Sequence, residues 1–135
     1  MALTSYLIFQ MVLSVVLGAA VGLEREKNHK PAGMRTHMCV CFGACLFTLS
    51  SVSVIFGSDP ARVAASIVTG VGFIGAGTII ASKDRVLGIT TAASLWTTAA
   101  IGLLVGIGEA GIATVATGLA IFILMSDYLI KKFIK

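Results

Sequence analysis

Acidic residues are scarce in this 135-residue chain: Glu24, Glu26, Asp59, Asp84, Glu109 and Asp127 are all it has. None lies in the middle of a long apolar stretch, which speaks against a pump driven by a carboxylate at mid-membrane depth. Charge of either sign amounts to 12% of residues, where a soluble domain carries about a quarter. Proline occurs only at Pro31 and Pro60, both within charged gaps. Cys39, Cys41 and Cys45 are the only cysteines, an odd number in one stretch that offers no disulfide framework. No Ser/His/Asp set, phosphate-binding loop or H-E-x-x-H can be drawn, so an enzyme is not expected. Segments of fixed period and low-complexity tracts are also missing.

What is present is apolar. Hydrophobic residues make up 57% of the chain and the mean hydropathy is +1.00. Charged gaps at 24–35, 59–62, 83–85 and the single Glu109 divide it into uncharged runs at 1–23, 36–58, 63–82, 86–108 and 110–126. A bilayer core takes a helix of roughly 17 to 25 apolar residues, and each run fits that window. A soluble bundle would carry a polar stripe on every helix, and these runs carry no charge on any face. The expectation is an all-α integral membrane protein with five transmembrane helices at about 3–23, 36–58, 61–82, 86–108 and 110–128. They form a single domain over 1–135.

Basic residues set the orientation. Arg25, Lys27, Lys30, Arg35, Lys83, Arg85, Lys131, Lys132 and Lys135 fall to one side of a five-span chain, and only Arg62 falls to the other. That predicts the N-terminus outside and the C-terminus in the cytoplasm of a bacterial inner membrane. The net charge of +4 is then a cytoplasmic rim facing anionic lipid heads, and no nucleic-acid partner is expected. The first run lacks a basic leader, which predicts a retained span and not a cleaved signal peptide.

The gaps carry turn and capping residues. Lys30-Pro31-Ala32-Gly33 reads as a turn with Gly33 free to take positive φ, and Thr36 as the cap of the second helix. Ser58 or Asp59 caps the third helix, with Pro60 in its first turn. Gly57 and Gly88 loosen the chain beside their loops. At the ends of the spans, Glu24, Arg25, Glu26 and Arg62 mark the interface. A Glu24 or Asp59 turned into the bundle would need Arg25, Arg35 or Arg62 as partner.

Glycine clusters in the third run. Gly70-Val71-Gly72-Phe73-Ile74-Gly75 matches a dinucleotide fingerprint literally, but no strand precedes it. Gly70 and Gly77 share one helical face, and Gly72 and Gly75 lie opposite. The third span is therefore expected to be the central helix, gripped from both sides. A helix broken at these glycines to line an ion site is the other reading. Thr90, Thr91, Ser94, Thr97 and Thr98 form a hydroxyl stripe on the fourth span, for bonding between helices, back to their own carbonyls, or along a polar path. Met34, His37, Met38, Cys41 and Cys45 share a face that resembles a soft-metal stripe, yet cysteine also packs as a small apolar residue. No metal site is expected there. Gly18 with Gly22, and Gly102 with Gly106, make small-xxx-small faces that predict a homo-oligomer, most simply a dimer.

Gly22-Leu23-Glu24-Arg25-Glu26 followed by Lys30-Pro31-Ala32-Gly33-Met34-Arg35-Thr36-His37 closely resembles the first-loop signature of the MgtC/SapB family. The likeness continues through Asp59-Pro60-Ala61-Arg62, the stretch from Gly70 to Gly77, and Gly88-Ile89-Thr90-Thr91-Ala92-Ala93-Ser94-Leu95-Trp96. The resemblance implies a five-span inner-membrane protein tied to growth in low magnesium, acid stress and, in pathogens, survival inside macrophages. It further implies a regulator of a membrane partner such as the F-type ATP synthase; the alternative is a small transporter or channel for Mg²⁺ or protons. No cofactor is expected, with Mg²⁺ as ligand or cargo under that alternative. Many members continue into a cytoplasmic domain after the fifth span; this sequence stops at Lys135, and no soluble C-terminal domain is expected. The motif and the basic rim together point to Glu24, Arg25, Lys30, Pro31, Gly33, Arg35 and Thr36 as the functional patch, with Asp59 and Arg62 as candidates on the outer side.

Overall fold

The computed structural model describes residues 2–52 and 59–133, with side chains described for 3–52 and 59–126. Five helices account for most of it: α1 (Ala2–Lys27), α2 (Met34–Val52), α3 (Pro60–Ala76), α4 (Ile89–Gly106) and α5 (Ala110–Phe133). Between α3 and α4 lies a two-stranded antiparallel hairpin, β1 (Ile80–Ser82) with β2 (Arg85–Leu87), in which Ala81 faces Val86. Among the described residues α1, α2 and α4 are long and apolar enough to cross a membrane; α3 and the 110–126 part of α5 are apolar but shorter. Ser58, Gly57 and the end of the second run lie outside the described residues, as do the side chains of Asp127, Lys131, Lys132 and Lys135.

The fold is inverted relative to a soluble protein. Phe9, Val16, Phe47, Phe73, Trp96, Val115 and Phe122 face outward, while Gln10, Ser14, His37, Thr48, Thr91, Ser94 and Thr98 are buried. In water this arrangement would expose large apolar faces at a cost of roughly 25 cal/mol per Å². In lipid those faces are already solvated, and small polar residues serve best where helices meet. This is a membrane protein.

α4 is the central helix, in contact with α1, α2, α3 and α5. The expectation that the third span would hold that place is wrong. A Cβ built on Gly70 or Gly72 meets nothing within 4 Å; Gly75 alone rests on a neighbouring helix, its Cβ position 3.3 Å from that of Ala92. The close contacts belong to the other glycines. Gly18 and Gly22 of α1 sit on the backbone at His37, Met38 and Met34, while Gly102 and Gly106 of α4 press on Cys41, Cys45 and Thr48. Both pairs press on one continuous stripe of α2, from Met34 to Thr48, so neither is left over as a face for a second chain. The small-residue argument for a dimer falls away with them.

Local sequence explains the ends of the helices. α3 stops at Ala76, short of the expected 82: Gly77 ends it, and Thr78 folds its hydroxyl back onto the Gly75 carbonyl at 2.7 Å. The β-branched pair Ile79-Ile80 then enters the hairpin, where such residues are at home. Gly88 returns the chain into α4 with φ +91°, and a Cβ there would collide with the Thr78 carbonyl. α4 ends in a Schellman motif: Gly108, at φ +95°, donates to Val105 O, and Glu109 donates to Leu104 O. Of the two caps that the sequence offers for α3, Asp59 fills the role by accepting from Arg62 N at 3.1 Å, with Pro60 in the first turn as expected.

Candidate functional site

α1 runs past its apolar stretch and carries the charged signature on its last turns. It also ends in a Schellman motif, in which His29 donates to Glu26 O and Lys30 to Arg25 O, each at 3.0 Å. The positive φ this needs falls on His29, at 51°, and not on Gly33. Pro31 follows directly, as is common after such an end. The turn delivers Gly33 against Glu26, whose Oε2 accepts the Met34 amide at 2.8 Å. Glu26 therefore caps α2 from another helix, and Thr36 lies inside the first turn. A Cβ on Gly33 would stand 2.9 Å from Glu26 Oε2, so the carboxylate would have to shift away from its place at the Met34 amide. Glu26→Ala should lower stability by about 1 kcal/mol, as loss of a cap does. Thermal unfolding in mild detergent measures it, and an unchanged midpoint would remove Glu26 from this role.

Glu24 and Arg25 turn inward. Their residues are 9% and 3% exposed, and Arg25 Nη1 lies 3.4 Å from Glu24 Oε2. Asn28 Nδ2 donates to the other Glu24 oxygen at 2.7 Å and to the Glu24 carbonyl at 3.0 Å. The partner that a buried Glu24 demands is thus Arg25, the neighbour in sequence. Arg25 Nε is buried without a hydrogen-bond partner among the described residues. Both side chains line a cleft of about 670 Å³ between the end of α1, the start of α4 at Thr90 and the α5 residues Ile121, Leu124 and Met125. Lys27, Asn28 and Lys30 complete its rim. Arg35 and Pro31 are exposed beside it. Of the expected patch, Glu24, Arg25 and Lys30 come together in the cleft, while Gly33 and Thr36 serve the entry into α2.

Asp59 and Arg62 lie elsewhere, as an exposed pair at 3.6 Å that belongs to the α3 cap. The hydroxyl stripe divides. Thr91, Ser94 and Thr98 are buried, Thr97 is half-buried, and Thr90 is exposed. Ser94 donates to Thr91 O and Thr98 to Ser94 O, both at 2.8 Å, and Thr97 donates to Ala93 O at 3.0 Å. One contact crosses between helices: His37 Nε2 meets Ser94 Oγ at 3.2 Å, while His37 Nδ1 lies 3.0 Å from the Gly33 carbonyl. A carbonyl only accepts, so Nδ1 carries the proton, and Nε2 of the neutral ring shares the Ser94 hydroxyl proton with Thr91 O. Cys41 and Cys45 are buried in the main apolar cluster with Leu17, Val21, Ile101 and Val105. Among the described residues no three of His, Cys, Asp and Glu gather into a group that could hold a metal ion.

Gln10 had no place in the sequence reading, although it is the one amide in an otherwise uncharged run. Its Nε2 donates to Val105 O at 2.7 Å and to Gly106 O at 3.2 Å, closing the last turn of α4 from within the bundle. With the Arg25 end of α1 near Thr90 and the Gln10 end near Val105, α1 and α4 are antiparallel.

Comparison with known proteins agrees with the signature that forms this cleft. Residues 11–133 match the model of the MgtC family. The chain belongs to the MgtC family. It is 42% identical over 120 residues to Protein MgtC of Brucella abortus, covering 89% of this chain and 49% of that protein. Against Protein MgtC of Salmonella typhimurium it is 42% identical over 125 residues, covering 93% of this chain and 52% of that one. The Escherichia coli K12 protein named "Putative magnesium transporter YhiD" is 42% identical over 114 residues, 78% of this chain and 53% of that protein. The chain therefore spans about half the length of these relatives. No solved structure matches it.

Proposed function

We propose that this MgtC-family chain is a five-span protein of the bacterial inner membrane, with its C-terminus in the cytoplasm. In this reading it regulates a membrane partner, such as the F-type ATP synthase, during adaptation to low magnesium, acid stress or intracellular growth. It is not an enzyme. The observation that carries the reading is the closed interior. α1 and α4 clamp α2 through glycines in backbone contact, and the buried hydroxyls of α4 bond back onto their own helix. Such a centre is built to pack and leaves the exposed basic loop as the surface that acts. A transporter for Mg²⁺ or protons is the second reading, supported by the name of the Escherichia coli relative.

Reconstitution separates the two. Vesicles holding only this protein should pass Mg²⁺ and protons no faster than empty ones, and faster flux establishes the transporter. In cells, Arg35→Ala should abolish most of the growth support under magnesium limitation and acid. An exposed arginine contributes little to folding, so its thermal stability should stay within about 0.5 kcal/mol of wild type. Full growth support from Arg35→Ala would reduce the loop to a topology signal.

A further inference from the structure

We propose that the cleft at the end of α1 binds the phosphate headgroup of an anionic phospholipid. The proposal goes beyond the choice between regulator and transporter and holds under either. Its starting point is Arg25. The residue is 97% buried, its Nη1 makes one long contact to Glu24, and its Nε has no partner among the described residues. Buried N–H groups are almost always paired, and a guanidinium fits two oxygens of a phosphate at once. This side chain lines the cleft.

The charge around it has one sign to spare. Arg25, Lys27 and Lys30 face a single carboxylate, Glu24, one of whose oxygens is already taken by Asn28. Thr90, on the opposite wall, stands in the first turn of α4, and the Gly88 that precedes this helix supplies no side-chain cap. The first amides of α4 therefore add the positive end of a helix dipole to the same space.

The remaining wall decides between a free anion and a lipid. Ala20 and Leu23 of α1 and Ile121, Leu124 and Met125 of α5 continue the cleft as an apolar surface. Leu23 and Met125 are also exposed on the outer face of the bundle. A polar, cationic head of the cleft joined to an apolar trough matches a headgroup and the start of an acyl chain. A volume of about 670 Å³ accommodates both.

Native mass spectrometry of the full chain in mild detergent tests this with three probes. They are phosphatidylglycerol, phosphatidylcholine with the same acyl chains, and inorganic phosphate. One phosphatidylglycerol per chain should be retained about tenfold or more over phosphatidylcholine, since each basic residue near a headgroup contributes measurably. Lys27→Gln with Lys30→Gln should remove most of that preference at unchanged thermal stability. Arg25→Lys keeps the charge beside Glu24 but loses the planar donor, and should also weaken retention. If that variant does not fold, the lysine pair decides. Equal retention of the two lipids, or full preference in the lysine variant, overturns the proposal. Displacement by inorganic phosphate at equal concentration would assign the cleft to a free anion and overturn the lipid assignment.

Discussion

Gly102→Ala should destabilise the bundle by about 1 to 3 kcal/mol, the range for overpacking a filled core. The new methyl would collide with the Cys41 carbonyl oxygen and stand 2.9 Å from its carbonyl carbon and 3.0 Å from Ala44 Cβ. Those neighbours include backbone held in α2, so no side-chain rotation relieves the clash. Gly106→Ala should behave alike, because Thr48 and the Cys45 carbonyl lie within 3.0 Å of its Cβ position. Gly70→Ala and Gly72→Ala should go the other way. Nothing stands within 4 Å of either position, and alanine is the better helix former by roughly 0.5 to 1 kcal/mol. Thermal midpoints of the four variants in one detergent compare them directly. A destabilised α3 pair beside a tolerant α4 pair would overturn α4 as the packing centre.

Arg25→Met should be more damaging still, at roughly 3 to 5 kcal/mol, because it strands a buried carboxylate. Glu24 would keep the Asn28 amide but lose its ion-pair partner, the one buried cation beside it among the described residues. Glu24→Gln combined with Arg25→Met removes both charges and should recover much of that loss, since exchanging a buried pair for neutral groups is often close to neutral. A double-mutant cycle read by thermal unfolding gives the coupling. Additive effects would show that the two side chains do not depend on each other and that water reaches one of them. The same cycle followed by growth assays separates folding from function, because the neutral pair should fold but lack the buried guanidinium of the cleft, with Lys27 and Lys30 still in place.

Much of the site was legible because it is contiguous. Glu24-Arg25-Glu26 and Lys30-Pro31-Ala32-Gly33 sit on one helix end and one turn, so their neighbourhood follows from local geometry. The roles within that neighbourhood were not legible. Glu26 and Thr36 both suit a cap, and only the path of the turn brings the Glu26 carboxylate to the Met34 amide. Positive φ went to His29 and not to Gly33, because the Schellman end of α1 closes before the proline. Gln10 was legible in principle. A lone amide in an apolar run has to find a partner, and here it finds the carbonyls of Val105 and Gly106.

The glycines mark the boundary between the two kinds of information. By itself the sequence determined the helical class, the apolar exterior that a membrane demands, a capped start of α3 at Ser58-Asp59-Pro60 and the family, since each depends on composition or on neighbours within a few residues. Which glycines carry the packing was decided by the tertiary structure alone. Gly70 and Gly72 stand in the densest glycine cluster of the chain and have open space where a Cβ would stand, while Gly18, Gly22, Gly102 and Gly106 look less conspicuous and hold α2. A missing side chain permits close approach without specifying what approaches. That choice rests on the order in which helices pack, and the order places α4 at the centre because its small, hydroxyl-bearing faces can meet four neighbours at once.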